Sequence, residues 1–124
     1  MENDVLRALE GSIEKWRKIT FEGKQDLGRK DCPLCDKFWN IDCNGCPVSD
    51  RGYHHCRNPE YKIWESRSHI MTISDHCHCR VCRKIAENEY NFLKSLLPEG
   101  YVEKNVPVIE MLRRKFAAFL IQFL

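Results

Sequence analysis

Eight cysteines and five histidines in 124 residues are the side chains of this sequence best suited to chemistry. Two C-x-x-C pairs stand close together, Cys32-Pro-Leu-Cys35 and Cys43-Asn-Gly-Cys46, and a third, Cys79-Arg-Val-Cys82, lies further on. Cys56 and Cys77 are single. The C-x-x-C spacing suits a metal because a tight turn can aim both sulfurs at one ion about 2.3 Å away. Pro33 and Gly45 are turn-forming residues inside those loops. One such pair could equally be a redox motif, but three pairs in so short a chain point to metal binding.

Zinc is the expected metal, as one or two ions, because tetrahedral thiolate sites in small loop-rich domains usually hold it. An iron–sulfur cluster would use the same ligands, and Cys46-Pro47 shares the Cys-Pro step of ferredoxins, but their regular four-cysteine run is absent. Two pairings are open. A sequential scheme joins Cys32, Cys35, Cys43 and Cys46 around one ion and Cys56, Cys77, Cys79 and Cys82 around another. A crossed scheme joins Cys32, Cys35, Cys79 and Cys82, leaving Cys43, Cys46 and Cys56 to find a histidine. His54, His55, His69, His76 and His78 are the candidates, although each taken alone reads more readily as a solvated surface histidine.

Catalytic constellations are sparse. There is no Ser/His/Asp set, no glycine-rich phosphate loop and no carboxylate pair in a plausible cleft, so no catalytic residue is assigned. Asp75-His76-Cys77-His78 is similar to the D-H-x-H string of HNH endonucleases, in which a histidine acts as general base beside a catalytic cation. Cys79 follows His78 immediately and leaves no room for the rest of that hairpin. Trp39, Arg51, Tyr53 and Arg57 could stack on bases and touch phosphates. Against that reading, residues 1–75 carry 12 Lys and Arg against 13 Asp and Glu, and residues 76–124 carry 8 against 5. Neither part has the basic excess of a protein that grips nucleic acid through its phosphates.

The elements that must position these side chains are mostly helical. Leu6, Leu9, Ile13 and Trp16 recur at helical spacing behind a capping Asn3 and an acidic Asp4, with Gly11 a weak point in the middle. Gly23 and Gly28 mark a polar loop into Cys32. Residues 31–57 show almost no periodicity and few aliphatic side chains, so the segment reads as an irregular loop ordered by its cysteines. Asn58-Pro59-Glu60 predicts a helix start, with Tyr61 and Trp64 on one face of a helix ending near Ser68. Ile70–Ile73 is a weak strand candidate. A longer helix starts near Cys79, puts Cys82, Ile85, Phe92, Leu93, Leu96 and Leu97 on one side, and ends at Pro98 and Gly100.

The final segment follows a 3-4 rhythm through Ile109, Leu112, Phe116, Phe119 and Phe123. Its apolar run of nine residues is too short for a bilayer, which needs about 20. It is expected to bury its stripe on another chain, giving a homo-oligomer or partner contact through residues 107–124; packing on Leu93, Leu96 and Leu97, or docking on a membrane surface beside Arg113, Arg114 and Lys115, are the alternatives. The acidic start lacks the form of a signal peptide, so a cytoplasmic setting with reduced thiols is expected; a disulfide-stapled exported protein is the alternative.

The order CPLC, CNGCP, Gly52-x-x-x-Cys56, Asn58-Pro-Glu-Tyr61 with Trp64, CRVC and Phe92-Leu-Lys-Ser-Leu-Leu-Pro98 resembles a group of small uncharacterised cysteine-rich proteins of bacteriophages, prophages and some bacteria and archaea. The likeness covers roughly residues 6–99, and its cysteine order is its specific part. It implies metal ligation at Cys32, Cys35, Cys43, Cys46, Cys56, Cys79 and Cys82, leaving Cys77 and the tail after Gly100 outside. The expected fold is mainly α, a cysteine-rich metal-binding domain over residues 1–100 followed by an apolar helix over 101–124. The expected function is a non-enzymatic, zinc-stabilised module that binds a host or viral protein in the host cytoplasm. A zinc-stabilised nucleic-acid binder and an HNH-like nuclease are the alternatives.

Overall fold

A computed structural model describes residues 1–68 and 79–101. Five helices appear there: α1 (Asn3–Glu22), α2 (Pro33–Phe38), α3 (Pro47–Asp50), α4 (Pro59–Ser68) and α5 (Arg80–Ser95). Among the described residues there is no strand. The strand candidate Ile70–Ile73, the string Asp75–His78 and the segment 107–124 lie outside them.

The long helices form as their periodicity requires. Leu9, Ile13, Trp16 and Ile19 fall on one side of α1 and are buried against α5, whose own inward face carries Cys82, Ala86, Tyr90 and Leu93. α4 packs on α5 and delivers two aromatic rings to Trp16. Trp64 meets it edge-on at 5.5 Å and Tyr61 at 6.0 Å. Such perpendicular pairs are favoured because the electropositive ring edge meets an electronegative face.

Details at the helix ends depart from expectation. Asn3 does not cap α1; Glu2 holds that position in extended backbone, without a side-chain bond, and Asn3 is already helical. The end of α1 follows the glycine rule: Gly23 takes φ 68°, and the Lys24 N–H reaches back to the Lys18 carbonyl at 3.3 Å. Gly11 has a positive use. A Cβ built there would stand 2.8 Å from Cγ of Pro33, so the missing side chain lets the start of α2 lie directly on α1.

Residues 31–57 are a chain of short helical turns rather than an irregular loop. Each Cys-Pro step opens one: Cys32 precedes Pro33 at the start of α2, and Cys46 precedes Pro47 at the start of α3. Proline suits a first helical position because its fixed φ is already helical and its missing N–H would have no partner there. Three-residue turns at Trp39–Ile41 and His54–Cys56 link these pieces. Local turn preferences thus order the backbone without a periodic apolar face, which is why periodicity did not reveal it.

Candidate metal centre

The cysteine segment is moored to α1 by polar contacts. Ser12, fully buried, accepts the Leu34 backbone N–H at 3.2 Å and has its hydroxyl 3.4 Å from the Cys32 sulfur. One turn on, Lys15 reaches Asp26 and Asp31 at 2.8 Å each and donates to the Gly28 carbonyl at 2.9 Å. Asp26 in turn accepts from the Gly28 N–H at 2.8 Å and from the Trp64 indole at 2.9 Å. Burial alone would lower the Lys15 pKa, but the two carboxylates outweigh it and hold the ammonium above its ordinary range. Burial likewise opposes ionisation of Asp26, and Lys15 overcomes it, so that carboxyl sits below its ordinary range. This buried ion pair fixes the path of the loop that enters Cys32.

Beyond that mooring, the turns bring five of the predicted ligands into one neighbourhood. The Cys32 and Cys35 thiols lie close enough to perturb each other electrostatically, as do those of Cys35 and Cys56. Cys46 lies within electrostatic reach of Cys43 and Cys32. Cys43 and Cys46 are buried, whereas Cys32, Cys35 and Cys56 are half-buried. All five are thiols and none forms a disulfide. Neither pairing read from the sequence puts Cys35 with Cys56: the sequential one gave Cys56 to the later cysteines, and the crossed one left it with Cys43 and Cys46.

Thiol crowding has an electrostatic consequence. The neighbouring Cys35, then burial, push Cys32 well above the ordinary thiol range. Cys32 pulls the Cys35 pKa down, but Cys56 and burial prevail and raise it to about 12. Burial also raises Cys46, against hydrogen bonds from the Ser49 and Val48 backbone N–H groups at the start of α3. Each thiolate would make the next harder to form. A divalent cation reverses that balance, because thiolate is the liganding form.

Cys32, Cys35, His55 and Cys56 line one partly open cavity of about 300 Å³ together with Trp39 and Tyr61. The loops that carry these donors are strained. Asp42, Cys43, His55 and Cys56 all take left-handed backbone, with φ between 54° and 61°. Non-glycine residues there cost on the order of 1–3 kcal/mol each, and such strain clusters at functional sites. His55 Nδ1 stands 3.5 Å from the Cys43 sulfur and its Nε2 stands 3.4 Å from Asp42 Oδ1. His54 approaches the other Asp42 oxygen at 3.7 Å and the Ser49 hydroxyl at 3.3 Å. Among the described residues, no three Cys, His, Asp or Glu side chains are already gathered as a bound ion would hold them. The donors are of the types that zinc takes, and their present contacts are pairwise.

Cys79 and Cys82 form a second locus. Cys79 caps α5, exposed, with its sulfur 3.5 Å from the Cys82 N–H. Cys82 is buried, as its helical spacing predicts, and its sulfur accepts from Arg67 Nε at 3.4 Å. His69, His76, Cys77 and His78 fall outside the described residues.

Sequence reasoning passed over Ser12, Lys15, Asp26 and Glu89. Glu89 is 2% exposed, accepts from the Asn58 amide at 2.6 Å, and lines the cavity. Burial raises its pKa to about 7, against the Asn58 hydrogen bond, with Glu60 adding to the rise. The available signal was weak: a Gly-Ser step inside a helical pattern, and charges at inward helical positions.

Comparison with protein-family models, with curated proteins and with solved structures finds no match to this chain. Among the described residues, no helix is long and apolar enough to cross a membrane.

Proposed function

We propose that the chain is a non-enzymatic binding module whose cysteine segment folds around zinc and which acts by contacting another protein. The observation that carries this reading is the convergence of Cys32, Cys35 and Cys56, with Cys43 and Cys46 beside them, in a segment of short turns that Leu34, Phe38 and Val48 pin to the core. Zinc bound mainly by thiolates in such a place is structural, because no coordination position is left for a substrate. Trp39 and Ile41 on the same segment are exposed, as is Leu27 just before it, and they supply an apolar surface for a partner. The sequence likeness to phage and prophage proteins favours a host or viral partner.

The test is metal analysis of protein purified in the reduced state, followed by chelation. One or two zinc ions per chain are expected. Removing them should abolish hydrogen-exchange protection over residues 32–56, because binding free energy in such sites is largely folding free energy. Unchanged protection and thermal stability after complete metal removal would refute structural zinc. Incubation with DNA or RNA and Mg²⁺ or Mn²⁺ should yield no cleavage that depends on His76 or His78; cleavage lost in His76→Ala with the fold intact would establish the nuclease alternative.

A further inference from the structure

His55 differs from an ordinary surface histidine in three respects. Its ring is 38% exposed, yet both nitrogens already face partners of different chemistry. Nδ1 looks at a buried thiol, that of Cys43, and Nε2 looks at a carboxylate, that of Asp42. Its backbone is held left-handed at φ 54°, ψ 38°, which keeps the ring between the Cys43 turn and the cavity lined by Cys32, Cys35 and Cys56. Trp39, with its ring centroid 5.3 Å away, flanks it.

The Cys43–His55 separation suits a thiol–imidazole hydrogen bond and equally two ligands of one ion. With zinc about 2.0–2.1 Å from nitrogen and about 2.3 Å from sulfur, a tetrahedral angle sets the nitrogen–sulfur separation at about 3.6 Å. The observed separation of Cys43 Sγ and His55 Nδ1 is 3.5 Å. A ligating histidine also needs its distal N–H held by an acceptor, and a carboxylate in that role fixes both tautomer and ring orientation. Asp42, next to Cys43 in the chain, stands in that position.

We propose that His55 is a zinc ligand of the cysteine cluster, binding through Nδ1 beside Cys43 while its Nε2–H donates to Asp42. The inference rests on the zinc reading above and adds a histidine, its liganding atom and a positioning carboxylate to it. On binding, the Cys43 thiol loses its proton to solvent and the neutral imidazole gives its Nδ1 lone pair to the ion. The left-handed residues at 42, 43, 55 and 56 lie in the two loops that set Cys43, Asp42 and His55 side by side.

The experiment uses the full chain loaded with zinc, with cobalt(II) as a spectroscopic substitute. Long-range proton–nitrogen NMR of the histidine rings should show His55 as the Nε2–H tautomer with a metal-shifted Nδ1. Chelator competition should find His55→Ala binding one zinc at least about 100-fold more weakly, and Asp42→Asn about 10-fold more weakly, the scale of a lost outer-shell partner. His55→Cys should restore tight binding and add a thiolate band to the cobalt spectrum. Zinc-loaded wild type with an unshifted His55 Nδ1, or His55→Ala with unchanged affinity and cobalt spectrum, would overturn the His55 assignment while leaving structural zinc intact. Wild type that takes up no zinc would overturn both.

Discussion

The helical face shared by α1, α4 and α5 and the cysteine segment from Cys32 to Cys56 are built on different physics. In the first, Leu9, Ile13, Trp16, Trp64, Ala86 and Leu93 leave water together, and the gain scales with apolar area regardless of fine direction. In the second, α2 and α3 are too short for a long stripe: Leu34, Phe38 and Val48 pin them into the core, and directional contacts set the rest, Ser12 to Leu34 and the His55 ring to Cys43 and Asp42. A core of the first kind tolerates change in small steps. The second kind is sensitive to single atoms, because each lost partner leaves a polar group stranded. The two regions meet at Lys15 and at Gly11, and there the contrast can be tested most sharply.

Lys15→Ala should have the largest effect of these tests. It leaves the buried Asp26 carboxylate with its Gly28 and Trp64 hydrogen bonds but without its Lys15 cation, and breaking a buried pair from one side costs about 3–5 kcal/mol. Urea unfolding of the variant against wild type measures this. A loss within experimental error would show that the ion pair does not join the two regions.

Glu89 provides a pH test with a defined sign. Its folded pKa is raised to about 7 from an ordinary 4.5, so its contribution is fully present below about pH 4.5 and is lost as pH rises through 7. The swing is about 3–4 kcal/mol, from the relation of about 1.4 kcal/mol per pKa unit. Glu89→Gln should flatten this part of the stability profile and raise stability at pH 8. A Gln variant with the same pH slope as wild type would exclude Glu89 as its source.

Gly11→Ala is the subtlest comparison. Helix propensity favours alanine by about 1 kcal/mol, while overpacking against the Pro33 ring costs about 1–3 kcal/mol. A net loss of about 1 kcal/mol is expected in thermal unfolding. A net gain would mean that α2 slides off α1 freely, and that the cysteine segment is less firmly moored than its contacts indicate.

Much of the framework was legible before any coordinates. Apolar spacing gave α1 its buried side through Leu9, Ile13 and Trp16, and Asn58-Pro59-Glu60 placed the start of α4. Cys79 and Cys82 fell where expected, one at the cap and one on the inward face of α5. These features are local: they depend on residues within one or two turns of each other, so a linear pattern carries them. The turns of residues 31–57 were legible only as Cys-Pro and glycine punctuation, because pieces of four to six residues have no periodicity to detect.

By itself, then, the sequence determined which stretches are long helices, where its thiols and imidazoles stand, and that most of the thiols come in turn-borne pairs. Only the tertiary structure decided which donors meet. Cys56 joins Cys35 across 21 positions of chain, and His55 is set between Cys43 and Asp42. Gly11 turns from a weak point in a helix into the space that Pro33 occupies. The reason is common to all three. Periodicity records the face a residue presents, whereas a metal-type site depends on distances of a few ångströms between loops, fixed by packing and backbone strain far away along the chain.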